Sequence, residues 1–205
     1  MKNRISFILL IASIFMLWGC YPQGPEYVED MDVVLTKHNE DYDFMARATY
    51  AMPDRIVKIT GDVVEGEDPS FIPDVNAQVI LSTVASNMAD LGWVRVDIED
   101  DPDVFLLPAA WETTTIYYYY DYWYYWYGGY WGGYWPYYPP VYASSYTTGT
   151  LLMSITDPAI VSTDGNRINQ WSGAINGLLT GYFDANRINE AINKAFAASQ
   201  YLKTN

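Results

Sequence analysis

Hydrophobic and polar positions divide the chain into a short apolar run at the N-terminus, a polar stretch, and a long region patterned like a folded domain. The domain pattern begins at Val33, and residues 31–37 and 47–51 read as short strands joined by the polar turn 39–43. Residues 54–62 alternate only in part and fit a strand or a loop. Asp74 stands where an N-cap belongs, after Pro73. Val75, Val79, Leu81, Ser82, Ala85, Met88 and Leu91 then approximate a 3.6-residue period, and Gly92 is placed to end the helix. The spacing therefore predicts a helix over 74–91.

Residues 93–98 alternate as a strand, and the turn Asp100-Asp101-Pro102-Asp103 leads into another that begins over 104–107. Residues 148–156 predict a strand ended by Asp157-Pro158, and 169–178 a last strand in which Gly173 and Gly177 lower the intrinsic propensity. Asp184 can cap a final helix, in which Ile188, Ala191, Ile192, Ala195 and Phe196 form one apolar stripe. Two helices with one apolar face each, beside several half-buried strands, predict a two-layer α+β sandwich. Its sheet is expected to be mostly antiparallel, with both main helices packed on one face.

One segment has no such pattern. Thirteen of the 26 residues from Tyr117 to Tyr142 are Tyr and four are Trp, with Asp121 the one charge. Its Gly and Pro residues would break a helix, so a long aromatic loop or β-ribbon insertion between two strands is expected. Tyr and Trp combine an apolar face with a polar tip and suit surfaces that are wet on one side. The candidate binding surface is Tyr117, Tyr119, Tyr122, Trp123, Tyr125, Trp126, Tyr130, Trp131, Tyr134 and Trp135. Four readings stay open: a protein partner or self-association, a membrane interface, a glycan of peptidoglycan or lipopolysaccharide, and a low-complexity insertion packed on its own domain.

The N-terminus carries an address. Residues 1–4 are basic, residues 5–17 are apolar but too short to span a bilayer comfortably, and the run ends in Leu17-Trp18-Gly19-Cys20. That order reads as an export signal over 1–19. A Cys directly after the small residue resembles the lipobox of bacterial lipoproteins, although Trp18 departs from the usual small residue at its place. The resemblance implies acylation of Cys20 and cleavage before it. Several acyl chains on one thiol make an essentially stable anchor, at roughly 0.8 kcal/mol per buried methylene. Residues 20–32 then form the lipidated Cys and an acidic tether, and 33–205 a single domain. The expected location is the outer membrane, on its periplasmic or its outer side.

Composition narrows the chemistry. A formal charge of −14 and a pI near 4.2 disfavour nucleic acid as a partner. One Cys excludes an internal disulfide, and one His excludes a His-rich metal centre. His38 reads as a surface residue of a polar turn. Asp97, Glu99, Asp101 and Asp103 alternate, but Pro102 favours an acidic turn over a calcium loop. Ser172 lies outside a Gly-x-Ser-x-Gly elbow, and the glycines over 128–133 lack the Lys of a phosphate loop. No catalytic set, metal site or cofactor is expected.

The order of features resembles a family of Gram-negative envelope lipoproteins, domain-of-unknown-function family 4136. The matching pieces are the lipobox, Tyr42-Asp43-Phe44, Thr49-Tyr50-Ala51, Leu91-Gly92-Trp93, Asp100-Asp101-Pro102-Asp103-Val104, the run 146–151, Trp171-Ser172-Gly173 and Arg187-Ile188. The resemblance implies fold and location, and no catalytic residue. Sequence alone thus points to a non-enzymatic, lipid-anchored envelope protein that acts through binding or structural support. A glycan-binding module or weak glycan hydrolase is the alternative.

Overall fold

A computed structural model of the chain describes residues 33–59, 70–112, 149–161, 163 and 167–204. Two compact units divide the chain, Met1–Asp30 and Met31–Asn205, and every described residue belongs to the second. The expectations about Cys20, the tether and residues 117–142 fall outside the described residues.

The strands are β1 (Val33–His38), β2 (Thr49–Ala51), β3 (Val57–Ile59), β4 (Val94–Arg95), β5 (Val104–Trp111), β6 (Thr150–Val161) and β7 (Arg167–Asn176). They form one sheet in the order β1-β7-β6-β5-β2-β4, with β3 also paired to β5. The long pairings β1–β7, β7–β6 and β6–β5 are antiparallel, whereas β2–β5, β2–β4 and β3–β5 are short and parallel. The helices are α1 (Asp74–Asp90) and α2 (Ala185–Ala197). This is the expected α+β architecture with a mixed, open sheet.

β2 and β3 pair with successive parts of the same side of β5. Ala51 sits opposite Phe105 and Val57 opposite Ala109, so five residues on one side face three on the other. Pro53, which has no N–H to give a ladder, falls in the looped-out part. Arg95 Nη2 donates to the Met52 carbonyl that the interruption leaves over (2.8 Å). Pro108 of β5 lies opposite the same interruption, where the ladder on that side is already absent.

Strand alternation sorts the sheet into two faces. Leu106, Ala110, Leu151, Met153, Ile155, Trp171 and Ile175 share one buried cluster with both helices. The stripe Ile188, Ala191, Ile192, Ala195 and Phe196 of α2 is buried as its periodicity predicts, each large member contributing roughly 1.5–3 kcal/mol. Asp184 caps that helix, accepting from the N–H groups of Asn186 (2.9 Å) and Arg187 (3.2 Å). Phe105, Leu107, Ala109, Trp111, Leu152 and Ala174 form a second buried cluster on the other face, with Phe71 and Ile98 packed against it.

Several sequence expectations need correction. Asp74 is the first helical residue of α1, not its cap; Pro73 holds that place, and Asp74 Oδ1 takes Arg55 Nε instead (3.3 Å). The buried face of α1 is Ala77, Ile80, Leu81, Val84 and Met88, and Val75 is 73% exposed. Apolar Val75 and Val79 lie outside that face, so the period alone did not fix it. The strand expected over 93–98 is only Val94–Arg95, and a 3-10 turn, Ile98–Asp100, follows it. β6 does not stop at Asp157-Pro158: it shifts register around Thr156 and resumes pairing at Val161 opposite Arg167. A bulge admits the proline that a regular ladder would reject. His38 closes β1 and stacks on Tyr201, with ring centroids 3.6 Å apart, so it is half-buried.

Candidate functional site

The carboxylate of Asp157 lies inside that bulge and is 2% exposed. Its Oδ1 accepts from the N–H of Ala159 (2.7 Å), which fixes the turn through Pro158. Its Oδ2 accepts from Tyr42 Oη (2.8 Å) and pairs with Arg47 Nη2 (2.9 Å). Arg47 Nε in turn donates to Tyr42 Oη (3.0 Å), which closes a three-membered ring of contacts. Tyr42 precedes the 3-10 turn Phe44–Ala46 and Arg47 follows it, so that turn sets their spacing. Asp43 caps it through its Oδ1, which accepts from the N–H of Met45 (3.1 Å).

Electrostatics follow from this geometry. Burial pushes the Tyr42 hydroxyl well above its ordinary range, with Arg47 opposing and Asp157 adding to the shift. The Tyr42 hydrogen bond raises Arg47 further against the effect of burial. Arg167, whose Nη1 donates to the Asp157 carbonyl (3.5 Å), is drawn down by burial to about 10 while Asp157 resists that fall.

A second carboxylate stands beside this ring. Asp103 Oδ2 accepts from the N–H groups of Ala48 and Thr49 (2.9 Å each) and from Thr49 Oγ1 (3.0 Å). Burial works against ionisation of Asp103, but these donors and the charge of Arg47 outweigh it and hold the carboxyl below its usual value. The contacts fasten the start of β2 to the start of β5. Asp101, two residues earlier, adopts a left-handed backbone (φ 50°), which Asp tolerates better than most residues.

Together these residues line a cleft of about 540 Å³ between the turn before β5 and the bulge of β6. Arg47, Asp101, Asp103 and Asp157 supply its polar groups, and Ile98, Pro102, Phe105 and Pro158 its apolar walls. Among the described residues, no group of three or more His, Cys, Asp or Glu is arranged to hold a metal ion. Glu99 lies in the 3-10 turn Ile98–Asp100, Asp97 precedes it and Asp101 follows it, while Asp103 is tied to β2. Ser172 is buried in β7, where Asn169 Nδ2 donates to its hydroxyl. The ten Tyr and Trp residues of the candidate binding surface lie outside the described residues.

The remaining motifs build a clasp at the C-terminus. Trp93 Nε1 donates to the Leu202 carbonyl (2.7 Å), and the N–H of Thr204 donates to the Leu91 carbonyl (2.9 Å). Trp171 Nε1 donates to Ser199 Oγ (3.0 Å). Gly92 takes φ +94°, and a Cβ there would meet Thr204 Oγ1 at 2.5 Å. A Cβ on Gly173 would meet Trp171 Cη2 at 2.6 Å. Each of these small or aromatic residues thus has a packing reason for its place.

The profile of one protein family matches residues 34–199. The chain belongs to the DUF4136 family, described as a domain of unknown function. Among solved structures it is similar to a DUF4136 family protein from Bacteroides thetaiotaomicron VPI-5482, at 22% identity and a TM-score of 0.60. That alignment covers 84% of this chain and 97% of the other, and it shows the fold alone. Two PelC dodecamer structures from Paraburkholderia phytofirmans are more remote. Their identities are 13% and 12%, and their TM-scores 0.42 and 0.41. Each covers 85% of this chain, and the shares of their own chains are 99% and 98%. No curated protein matches the chain.

Arg47 and Asp157 were not singled out by the sequence reading. They are 110 positions apart, and nothing local marks Arg47. The available signal was an Asp-Pro pair embedded in an apolar run, which reads as a strand end and is here a bulge.

Proposed function

We propose that this DUF4136 protein is a lipid-anchored, non-enzymatic component of the Gram-negative outer membrane that works by holding a partner. The observation that carries the reading is Cys20, the chain's one cysteine, placed directly after a basic and then apolar export-type segment. The folded domain begins at β1, a few residues beyond an acidic stretch suited to serve as a tether. The contact surface is the aromatic segment, from Tyr117 and Tyr119 through Trp123 and Trp126 to Trp135. Seventeen Tyr and Trp residues in 26 give it the composition of an interface centre.

The ionisable groups of the cleft support a binding role over a catalytic one. Arg47, Tyr42 and Asp157 are engaged with one another, and Asp103 is held ionised by the backbone of β2. A carboxylate stabilised in this way is a weak proton acceptor and no proton donor at neutral pH.

In-cell photo-crosslinking tests the contact surface. A photoreactive residue replacing Tyr125 should give discrete adducts with an envelope component or a second copy of the chain. The same probe at exposed Val75 on α1 should not. Equal labelling from both positions, or none from Tyr125, overturns the assignment.

A further inference from the structure

The cleft beside β5 and the aromatic segment join the sheet at opposite ends of the same strand pair. The cleft lies where Phe105 faces Thr156, and the chain leaves for residues 113–148 beyond Trp111, which faces Thr150. We propose that the cleft is a saccharide site that takes a neutral, hydroxyl-bearing sugar ring. Arg47 acts as donor, Asp101 and Asp103 as acceptors, and Ile98 and Pro158 as walls. This goes beyond the anchoring and contact roles and does not depend on them.

The chemistry selects that class in three steps. Volume comes first: about 540 Å³ is within the range of small-molecule sites and exceeds what a few waters need. Charge comes second. Arg47 and Arg167 both stand at Asp157, and against these two cations Asp101, Asp103 and Asp157 still leave the surface net negative. The chain as a whole is strongly acidic, and a phosphate or carboxylate approaching the cleft is repelled.

Residual hydrogen-bonding capacity comes third. Arg47 spends Nε on Tyr42 and Nη2 on Asp157, which leaves the N–H groups of Nη1. Asp103 spends Oδ2 on three donors and keeps Oδ1. A cation would suit the carboxylates and be opposed by the guanidinium. A hydroxyl suits both, because it donates to a carboxylate while accepting from Arg47. Ile98 and Pro158, both partly exposed, offer apolar surface to the C–H groups of a sugar ring.

The test is saturation-transfer difference NMR on the full-length protein in detergent, with D-glucose, N-acetyl-D-glucosamine, maltose and glucose 6-phosphate as probes. At least one neutral sugar should show transfer, with a dissociation constant of the order of millimolar, and glucose 6-phosphate should bind more weakly than glucose. Ala159→Trp fills the mouth of the cleft from an exposed position, and Asp101→Asn removes an exposed charge and replaces one acceptor oxygen with a donor while tolerating the left-handed backbone. Each should weaken the neutral sugar about tenfold or more and leave the melting curve unchanged.

Absence of transfer from every neutral probe at about 10 mM overturns the site, as does tighter binding of the phosphorylated sugar. Binding that survives Ala159→Trp but disappears when Trp123, Trp126, Trp131 and Trp135 become Ala also overturns it. That outcome would move the sugar to the aromatic segment and leave the proposed contact surface standing.

Discussion

Replacing Arg47 with Met removes a charge while keeping most of the side chain's length, and it leaves the Asp157 carboxylate with two partners where it had three. Asp157 is 2% exposed, so water cannot take over from the lost guanidinium. Breaking a buried ion pair from one side costs about 3–5 kcal/mol. Arg47 is about a third exposed, and Tyr42 Oη and the Ala159 N–H stay in place. Solvent screening and those two bonds reduce the expected loss to about 2–3 kcal/mol. For a domain of this size that corresponds to a fall in melting temperature of about 5–10 °C.

Urea denaturation of the Arg47→Met, Asp157→Asn and double variants gives the coupling directly. The double variant should be less destabilised than the sum of the singles by at least about 1 kcal/mol, because neither leaves a buried charge behind once both are changed. A loss below about 0.5 kcal/mol for Arg47→Met, or strict additivity, would refute a pair that matters to the fold.

Other consequences can be measured in the same way. The folded-state carboxyl of Asp103 is held low, so its stabilising contribution is complete above its unfolded pKa. That contribution disappears as pH falls through the folded value. Asp103→Asn should flatten the stability curve between about pH 5 and 2, and an unchanged slope would contradict the assignment. Gly173→Ala should destabilise by about 1–3 kcal/mol through overpacking, since the Trp171 ring is fixed by Ser199; an unchanged denaturation midpoint would show that the ring has room to move. Trp93→Phe should cost about 1 kcal/mol and open the chain after Ser199 to carboxypeptidase, and unaltered digestion would dismiss the clasp. Ser154 Oγ is buried with no hydrogen-bond partner among the described residues, so Ser154→Ala should stabilise by up to about 1 kcal/mol; destabilisation would mean the hydroxyl is satisfied in solution.

The fold was legible where one residue's chemistry decides one place. Asp184 caps α2, Gly92 ends the chain of α1 in the left-handed region, and the α2 stripe faces the sheet, each as spacing predicted. α1 was located but not oriented, because Val75, Val79 and Ile80 are equally apolar and only packing chooses among them. β4 was overextended because Val96 and Ile98 continue an alternation that pairing does not follow. The bulge in β6 escaped for the opposite reason: Asp157-Pro158 is a stop signal, yet β6 shifts register there and pairs with β7 again at Val161. The cleft was invisible because its charged ring joins Tyr42 and Arg47 to a residue more than a hundred positions later. Several motifs behind the family resemblance turned out to hold the C-terminus, fasten β2 to β5, or position that ring.

Whether the protein works tethered by a lipid on Cys20 is decided by the intact mass of the protein extracted from membranes. The expected result is a chain that begins at Cys20 and exceeds the mass of residues 20–205 by that of its acyl groups, with Cys20→Ser released from the membrane. An unmodified chain, one that begins elsewhere, or a Cys20→Ser variant that stays in the membrane would contradict it.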